Sequence, residues 1–166
     1  LLVSEIKVES GVSVKMQANV NTQVIELAED AKVLFSGSGT SQIDKIVGGA
    51  TVEISSSETV VKMNTVEGTV SAQSSAHVVA QRVSGDVIAD GGARVTVDAV
   101  TGGVAASGDA QVNTNTVEGT VAAKARAHVV AQRVAGDVIA DGGSRVTVDA
   151  VTGDVTVSEV GTEASL

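Results

Sequence analysis

The sequence has almost no aromatic residues. Phe35 is the only one among 166 residues, and Trp and Tyr are absent. A globular interior normally takes much of its buried area from aromatic side chains. Here Val and Ala must fill the interior instead, and the abundance of Val and Thr favours strands. Thin layers of stacked strands suit this composition better than a thick irregular core.

Several other classes of residue are scarce. There is no Pro and no Cys, so cysteine content leaves the redox compartment undetermined. The net charge is −9, and neutralising phosphates needs an excess of Lys and Arg, so we predict no nucleic-acid partner. No apolar run approaches the ~20 residues of a transmembrane helix, so we predict no membrane span.

The first ten residues, LLVSEIKVES, contain no initiator Met and no signal-peptide pattern. Either the chain is processed or it begins internally. Processing would indicate export, so we expect an extracellular or cell-surface location, with the cytoplasm as the alternative.

A long internal repeat dominates the sequence. Residues 64–102 and 115–153 are identical at 33 of 39 positions, 51 residues apart. Three of the six differences are adjacent, where Gln73-Ser74-Ser75 becomes Lys124-Ala125-Arg126, which is typical of a solvent-facing turn.

The 51-residue repeat divides into three units of 17 residues. Five full units, beginning at Val66, read V-x-G-x-V, as in VSGDVIADGGARVTVDA. The third residue is always Gly and the fifth always Val, the seventh is Ala, and the thirteenth is again Val. The glycines are Gly68, Gly85, Gly102, Gly119, Gly136 and, in the partial last unit, Gly153.

Apolar residues alternate at positions five, seven, eleven, thirteen and often fifteen of each unit, as expected of half-buried strands. Such a unit is one coil of an all-β solenoid (β-helix), whose identical positions stack ~4.8 Å apart with Val and Ala inward and Gly at the corners. The alternative is an antiparallel β-meander or sandwich, for which ADGGAR is a hairpin signal. The equivalence of every seventeenth residue favours the solenoid.

Residues 1–63 resemble a degenerate version of the same pattern. We interpret them as irregular N-terminal coils or a cap. Together with the regular repeats of residues 64–166 they form one continuous domain in this interpretation. Both Ala18-Asn19-Val20 and Ala31-Lys32-Val33 resemble the repeated A-x-V. Residues 36–41 (SGSGTS) are expected to form a flexible loop, and residues 26–32 (ELAEDAK) a short helical turn. Residues 158–166 show no strong cap.

The spacing V-x-G-[DT]-V-x-A resembles that of bacterial and archaeal β-solenoid proteins. Bactofilins, which are cytoskeletal polymers with triangular coils, have a similar G-[DN]-V-x-A pattern, and adhesin-head solenoids of surface proteins have VSGDV-type repeats, here residues 83–87. The resemblance covers about residues 47–157. It implies a structural or adhesive role, and it identifies no catalytic or binding residue.

The two histidines, His77 and His128, occupy equivalent places 51 residues apart. In a solenoid three coils separate them by ~14 Å, which is too far for both to bind one metal ion at ~2 Å. We therefore predict an exposed polar stripe that also contains Arg94 and Gln111.

The acids Asp86, Asp90 and Asp98 recur as Asp137, Asp141 and Asp149. Calcium binds six to eight oxygens, and the calcium-binding solenoid repeat G-G-x-G-x-D is absent. We predict solvated surface acids and no cofactor or metal site, with a peripheral calcium ion as the alternative.

Catalytic motifs are missing. There is no Cys, no Ser in a G-x-S-x-G context, and no Tyr or Trp to line a sugar-binding groove. We therefore predict that the protein is not an enzyme and has no catalytic residues.

Stacked coils leave unpaired backbone groups at both ends, and this chain has no Pro to block them. The main hypothesis is a structural protein that polymerises with itself through solenoid ends or edges, as the subunit of a cell-surface filament, sheath or layer. The alternatives are an adhesin-type surface binding module and a bactofilin-like cytoskeletal polymer.

Overall fold

In a computed structural model of the chain, residues 2–17, 19–158 and 163–166 can be described, and they contain strands and turns but no helix. Leu1, Ala18 and residues 159–162, on which some predictions fall, lie outside this description. The strands are β1 Leu2–Val8, β2 Ser13–Met16, β3 Asn21–Leu27, β4 Lys32–Phe35, β5 Gly39–Ile54, β6 Thr59–Ala72, β7 His77–Val83, β8 Val87–Ala89, β9 Arg94–Val100, β10 Val104–Ala106, β11 Gln111–Val117, β12 Val121–Ala123, β13 His128–Val134, β14 Val138–Ala140, β15 Arg145–Val151, β16 Val155–Val157 and β17 Glu163–Ser165.

The strands stack in about nine coils, and all described strand pairs are parallel. Val87 pairs with Val104 in the next coil, and Val104 pairs with Val121, so the register advances by the 17-residue unit. The strands on either side of ADGGAR, β8 and β9, each pair with strands of neighbouring coils. The β-solenoid prediction is therefore confirmed, and the meander alternative is wrong.

Each regular coil contains one seven-residue strand and one three-residue strand. In β9, Val95, Val97 and Val100 are buried, so the alternation of buried and exposed residues shifts by one between the second and third valine. The register of β9 with β7 also omits the pair at Asp98. The long strand therefore bends at Asp98, and the turns around Gly102 and Gly108 provide the other two changes of direction.

The core consists of six inward columns of side chains that run along the solenoid axis. In one coil these are Val95, Val97, Val100, Val104, Ala106 and Ala110, all at most 2% exposed. The predicted inward positions are confirmed, and the first valine of each unit, such as Val83 and Val100, is buried as well. Because each inward residue packs on an equivalent residue above and below, small β-branched side chains fill the interior without aromatic rings.

The N-terminal coils are longer and contain larger core residues. Leu2 pairs with Asn21, Asn21 with Gln42, and Gln42 with Lys62, so these coils contain 19, 21 and 20 residues. The next pair, Lys62 with Val79, is the first with the regular spacing of 17 residues. Along one inward column, Met16, Phe35 and Ile54 precede Ala72 and Ala89. A longer coil encloses more space, and this explains why the single aromatic residue lies here.

Two local predictions for this region are wrong. Residues 26–32 form no helix, because Glu26 and Leu27 end β3, a turn follows at Glu29 and Asp30, and Lys32 begins β4. Most of SGSGTS is not a flexible loop either, since β5 begins at Gly39 and the Ser41 side chain is buried and accepts a hydrogen bond from the Val20 amide at 3.1 Å. In both places the pairing of neighbouring coils overrides the local sequence preference.

Candidate functional surfaces

The outward side chains form columns as regular as the inward ones. His77, Arg94, Gln111, His128 and Arg145 pair in register from coil to coil, and all five are exposed. The predicted polar stripe is confirmed, with the histidines three coils apart. We call this set the basic column.

The backbones of neighbouring coils approach closely at the glycine corner. A Cβ placed on Gly119 would lie 2.6 Å from the Gly102 carbonyl oxygen one coil earlier, while the Gly119 amide donates to that same oxygen at 3.1 Å. Gly136 and Gly153 meet the glycine one coil earlier in the same way. Gly119, Gly136 and Gly153 are therefore required for close stacking of backbones and not for an unusual φ.

The repeated aspartates act on the backbone. Asp86 Oδ1 accepts a hydrogen bond from the Gly103 amide of the next coil at 2.8 Å, and Asp137 Oδ1 accepts one from the Asp154 amide at 2.9 Å. Asp90 Oδ1 accepts from the Gly91 amide at 2.8 Å and from the Ser107 hydroxyl at 2.9 Å. Asp86 and Asp90 face solvent as predicted, and their carboxylates stabilise turns.

Among the residues that the structure describes, no three His, Cys, Asp or Glu side chains come together as a potential metal site. Asp86, Asp90 and Asp98 lie three coils, ~14 Å, from their copies Asp137, Asp141 and Asp149. Asp137 and Asp154 are equivalent acids in adjacent coils, and they form a pair and not a group of three.

A ladder of amide and carboxylate side chains was not predicted from the sequence. It lies at the bend of the long strands. There the side-chain Nδ2 of Asn64 donates a hydrogen bond to Asp44 Oδ1, and the side-chain Nδ2 of Asn115 donates one to Asp98 Oδ1. Read along the chain, its members are Gln23, Asp44, Asn64, Gln81, Asp98, Asn115, Gln132 and Asp149. The order Gln, Asp, Asn recurs every three coils, which is the signal that could have identified the ladder.

Shallow grooves lie beside this ladder on the outer face of the long strands. The larger groove has a volume of about 470 Å³ and is lined largely by polar residues, among them Asn21, Gln42, Lys62 and Gln81. A second groove of about 270 Å³ lies further along the same face, next to Asn113 and Gln132. The grooves are open and contain amide, hydroxyl and charged groups suited to hydrogen bonding.

The terminal coils expose apolar side chains that interior coils bury. Val157 is 47% exposed, although its column partner Ala140 is fully buried. At the N-terminal end, Ile6 is only partly buried, although its column partner Ile25 is fully buried. In the described part of the chain, β1 pairs only with β3, and β16 pairs only with β14. Both ends of the solenoid therefore present unpaired strand edges and uncovered core positions.

No protein-family model matches this chain, and neither does any curated protein or solved structure compared with it. The likeness to bactofilins and adhesin heads therefore rests on the V-x-G-[DT]-V-x-A spacing alone. Within residues 2–17, 19–158 and 163–166 there is no helix with the length and apolar character of a membrane span.

Proposed function

We propose that the protein is a structural, self-assembling subunit that polymerises end to end through its terminal coils. The observation that carries this proposal is the exposure of core columns at the C-terminal end. Val138 and Ala140 are fully buried beneath the next coil, whereas Val155 is half-buried and Val157 is exposed in the same two columns. A coil from a second copy would cover them as an interior coil does.

The geometry of an interior coil supports this mode of assembly. Each interior coil already binds its neighbours through parallel strands and matching Val and Ala columns, and an end-to-end contact continues that interface. The N-terminal end offers the unpaired edges of β1 and β2 to the incoming coil. Exposed strand edges of this kind template further strands.

Charged residues at the N-terminal edge favour selective addition. Lys7 on β1 lies 3.3 Å from Glu26 and 3.6 Å from Glu5. The hydrogen bond and charge of Glu26, followed by the charge of Glu5, raise the pKa of the Lys7 ammonium. Charges at an edge disfavour non-specific strand pairing, so this end would accept a matching end more readily than an unrelated strand.

Electron microscopy of the purified chain tests the proposal, with wild-type protein expected to form filaments. Val157→Lys places a charge on the exposed end and should shorten or abolish them. Thr116→Lys is the matched control, because Thr116 lies on the side of an interior coil, pairs with Arg133 in the next coil and should accept a cation without a change in filament length. A wild-type protein that stays strictly monomeric at high concentration would contradict the proposal.

We place the filament, sheath or layer at the cell surface because of the resemblance to adhesin-head repeats. Immunogold labelling of the native cells tests this part separately. Labelling confined to the cell interior would favour the bactofilin-like alternative.

The polar grooves favour a second candidate function, that of an adhesin-type binding module. In that case the long-strand face with Gln42, Lys62 and Gln81 would bind a hydrophilic partner such as a glycan. A monomer that binds a glycan array, and loses binding in Gln42→Ala/Gln81→Ala, would support this function over assembly.

A further inference from the structure

The two lateral faces of the repeat region differ in charge. The short-strand face consists of the outward residue of each three-residue strand and the corners beside it, and it includes Asp86, Asp90, Asp137 and Asp141. The long-strand face contains the basic column His77, Arg94, Gln111, His128 and Arg145. The short-strand face is therefore mainly acidic, whereas the long-strand face carries the Arg and His side chains of the basic column, with Asp98 and Asp149 at its bend.

We propose that copies of this protein also pack side by side, with the short-strand face of one copy against the long-strand face of its neighbour. This inference rests on the proposed self-assembly and names a second, lateral contact. The partner is a second copy because the basic column of its long-strand face complements the acids of the short-strand face.

The spacing of the charges matches on the two faces. Arg94 and Arg145 lie three coils apart in the basic column, and so do the equivalent acids Asp86 and Asp137. At ~4.8 Å per coil both spacings are ~14 Å. A neighbour aligned for one ion pair is therefore aligned for the next, which gives the 51-residue duplication a physical role.

Apolar residues on the two faces follow the same spacing. Ile88 and Ile139 are 40% and 38% exposed at the centre of the short-strand face, with Ala105 and Ala122 between them in the column. Among the described residues, the other exposed large hydrophobic side chains, Leu2, Val12, Val157 and Leu166, belong to the terminal coils.

The long-strand face has its own apolar residues at the matching interval. Val79 and Val130 are half-buried and lie three coils apart in the column adjacent to the basic column. The isoleucines of one copy can pack against these valines while the flanking acids meet the basic column. In this register the acids beside the isoleucines face His77 and His128, and Arg94 and Arg145 lie one coil further along the same column, ~4.8 Å away.

The area of this contact determines when it forms. Five coils at ~4.8 Å, each about four residues wide at ~3.3 Å per residue, give roughly 300 Å² per partner. A stable pair of proteins buries about 800 Å² per partner, so two monomers associate weakly. Filaments repeat the contact many times, and multivalency strengthens the association. Because the two faces are different, the contact is heterologous and extends into an open layer.

The test compares two double variants that each remove two positive charges three coils apart. Arg94→Gln/Arg145→Gln alters the basic column, and Gln111 shows that Gln is accommodated there. Arg82→Gln/Arg133→Gln is the matched control, because both arginines are exposed in a different column. Bundling is measured by low-speed pelleting and negative-stain microscopy at 0.1 M and 1 M salt, where screening lengths are about 10 Å and 3 Å.

We expect wild-type protein and the control to bundle at 0.1 M salt and to separate into single filaments at 1 M. The R94Q/R145Q variant should need a roughly tenfold higher concentration to bundle, with filament length unchanged. Equal bundling of this variant and wild type, or an equal loss in both variants, would overturn the inference. If no filaments form, static light scattering measures the attraction between monomers through the same contact. The inference fails if R94Q/R145Q does not weaken this attraction more than the R82Q/R133Q control does.

Discussion

Replacing Gly119 by Ala should cost more stability than the same change at a turn glycine whose Cβ would point into open space. The added Cβ would lie 2.6 Å from the Gly102 oxygen, 2.7 Å from its carbonyl carbon and 2.8 Å from the Gly103 nitrogen, all backbone atoms that cannot rotate away. Ordinary contact begins at 3.4 Å. The two coils must therefore separate by several tenths of an ångström at this corner.

That separation breaks the hydrogen bond from the Gly119 amide to the Gly102 oxygen, which is already 3.1 Å long. Losing one such bond costs about 1 kcal/mol, and overpacking adds about 1–3 kcal/mol. We expect a total near 3 kcal/mol, which for a chain of this size corresponds to a fall in Tm of roughly 6–12 °C.

The matched control is Gly143→Ala, whose Cβ would meet no atom within 4 Å but whose φ is +75°. It isolates the cost of a left-handed backbone, roughly 1–2 kcal/mol. Circular dichroism during heating and urea titration measures both variants, and amide hydrogen exchange at residues 102–121 locates the loosened corner. If Gly119→Ala destabilises no more than Gly143→Ala, close backbone stacking is not the reason for the glycine column.

Three further predictions concern the turns, the core and the repeat. Ser74→Gly/Ser75→Gly should raise stability by about 1 kcal/mol per residue, measured by urea unfolding, because both serines have positive φ (53° and 63°) at positions where other coils have Gly. Val138→Ala should cost about 2 kcal/mol, whereas Val155→Ala, half-buried in the same column, should cost less than half as much until filaments form. Deleting residues 83–133 removes three whole coils and should leave a shorter solenoid that still folds. Circular dichroism should show unchanged strand content per residue. A variant that lacks eight residues of the same region should not fold, because its coils no longer align.

The regular coils could be predicted from the sequence because their spacing is constant. Seventeen-residue repetition specifies which residues stack, and alternation within each unit specifies which of them face inward. Val87, Ala89, Val95 and Val97 are all buried as expected. The cluster of differences at residues 73–75 and 124–126 lies in exposed turns, also as expected.

The N-terminal coils were harder to predict because their length varies. Glu26 and Leu27 read as part of a helical turn, yet pairing with β1 and β5 extends β3 through Leu27. The pairs Asp44 with Asn64 and Asp98 with Asn115 are separated by 20 and 17 residues. The 17-residue spacing could reveal the second pair, but only the register of the folded coils places the first pair in the same ladder.

The sequence by itself determined the stacking of this protein, because any chain whose small apolar residues recur every 17 positions buries them best by placing equivalent positions above one another. The tertiary structure decided how each coil bends and therefore which direction each polar residue faces. The turn at Gly91 and Gly92 separates Asp90 on the short-strand face from Arg94 in the basic column, although the two residues are only four apart in the chain. That separation depends on the path of the backbone around the coil, which residue spacing along the chain does not reveal.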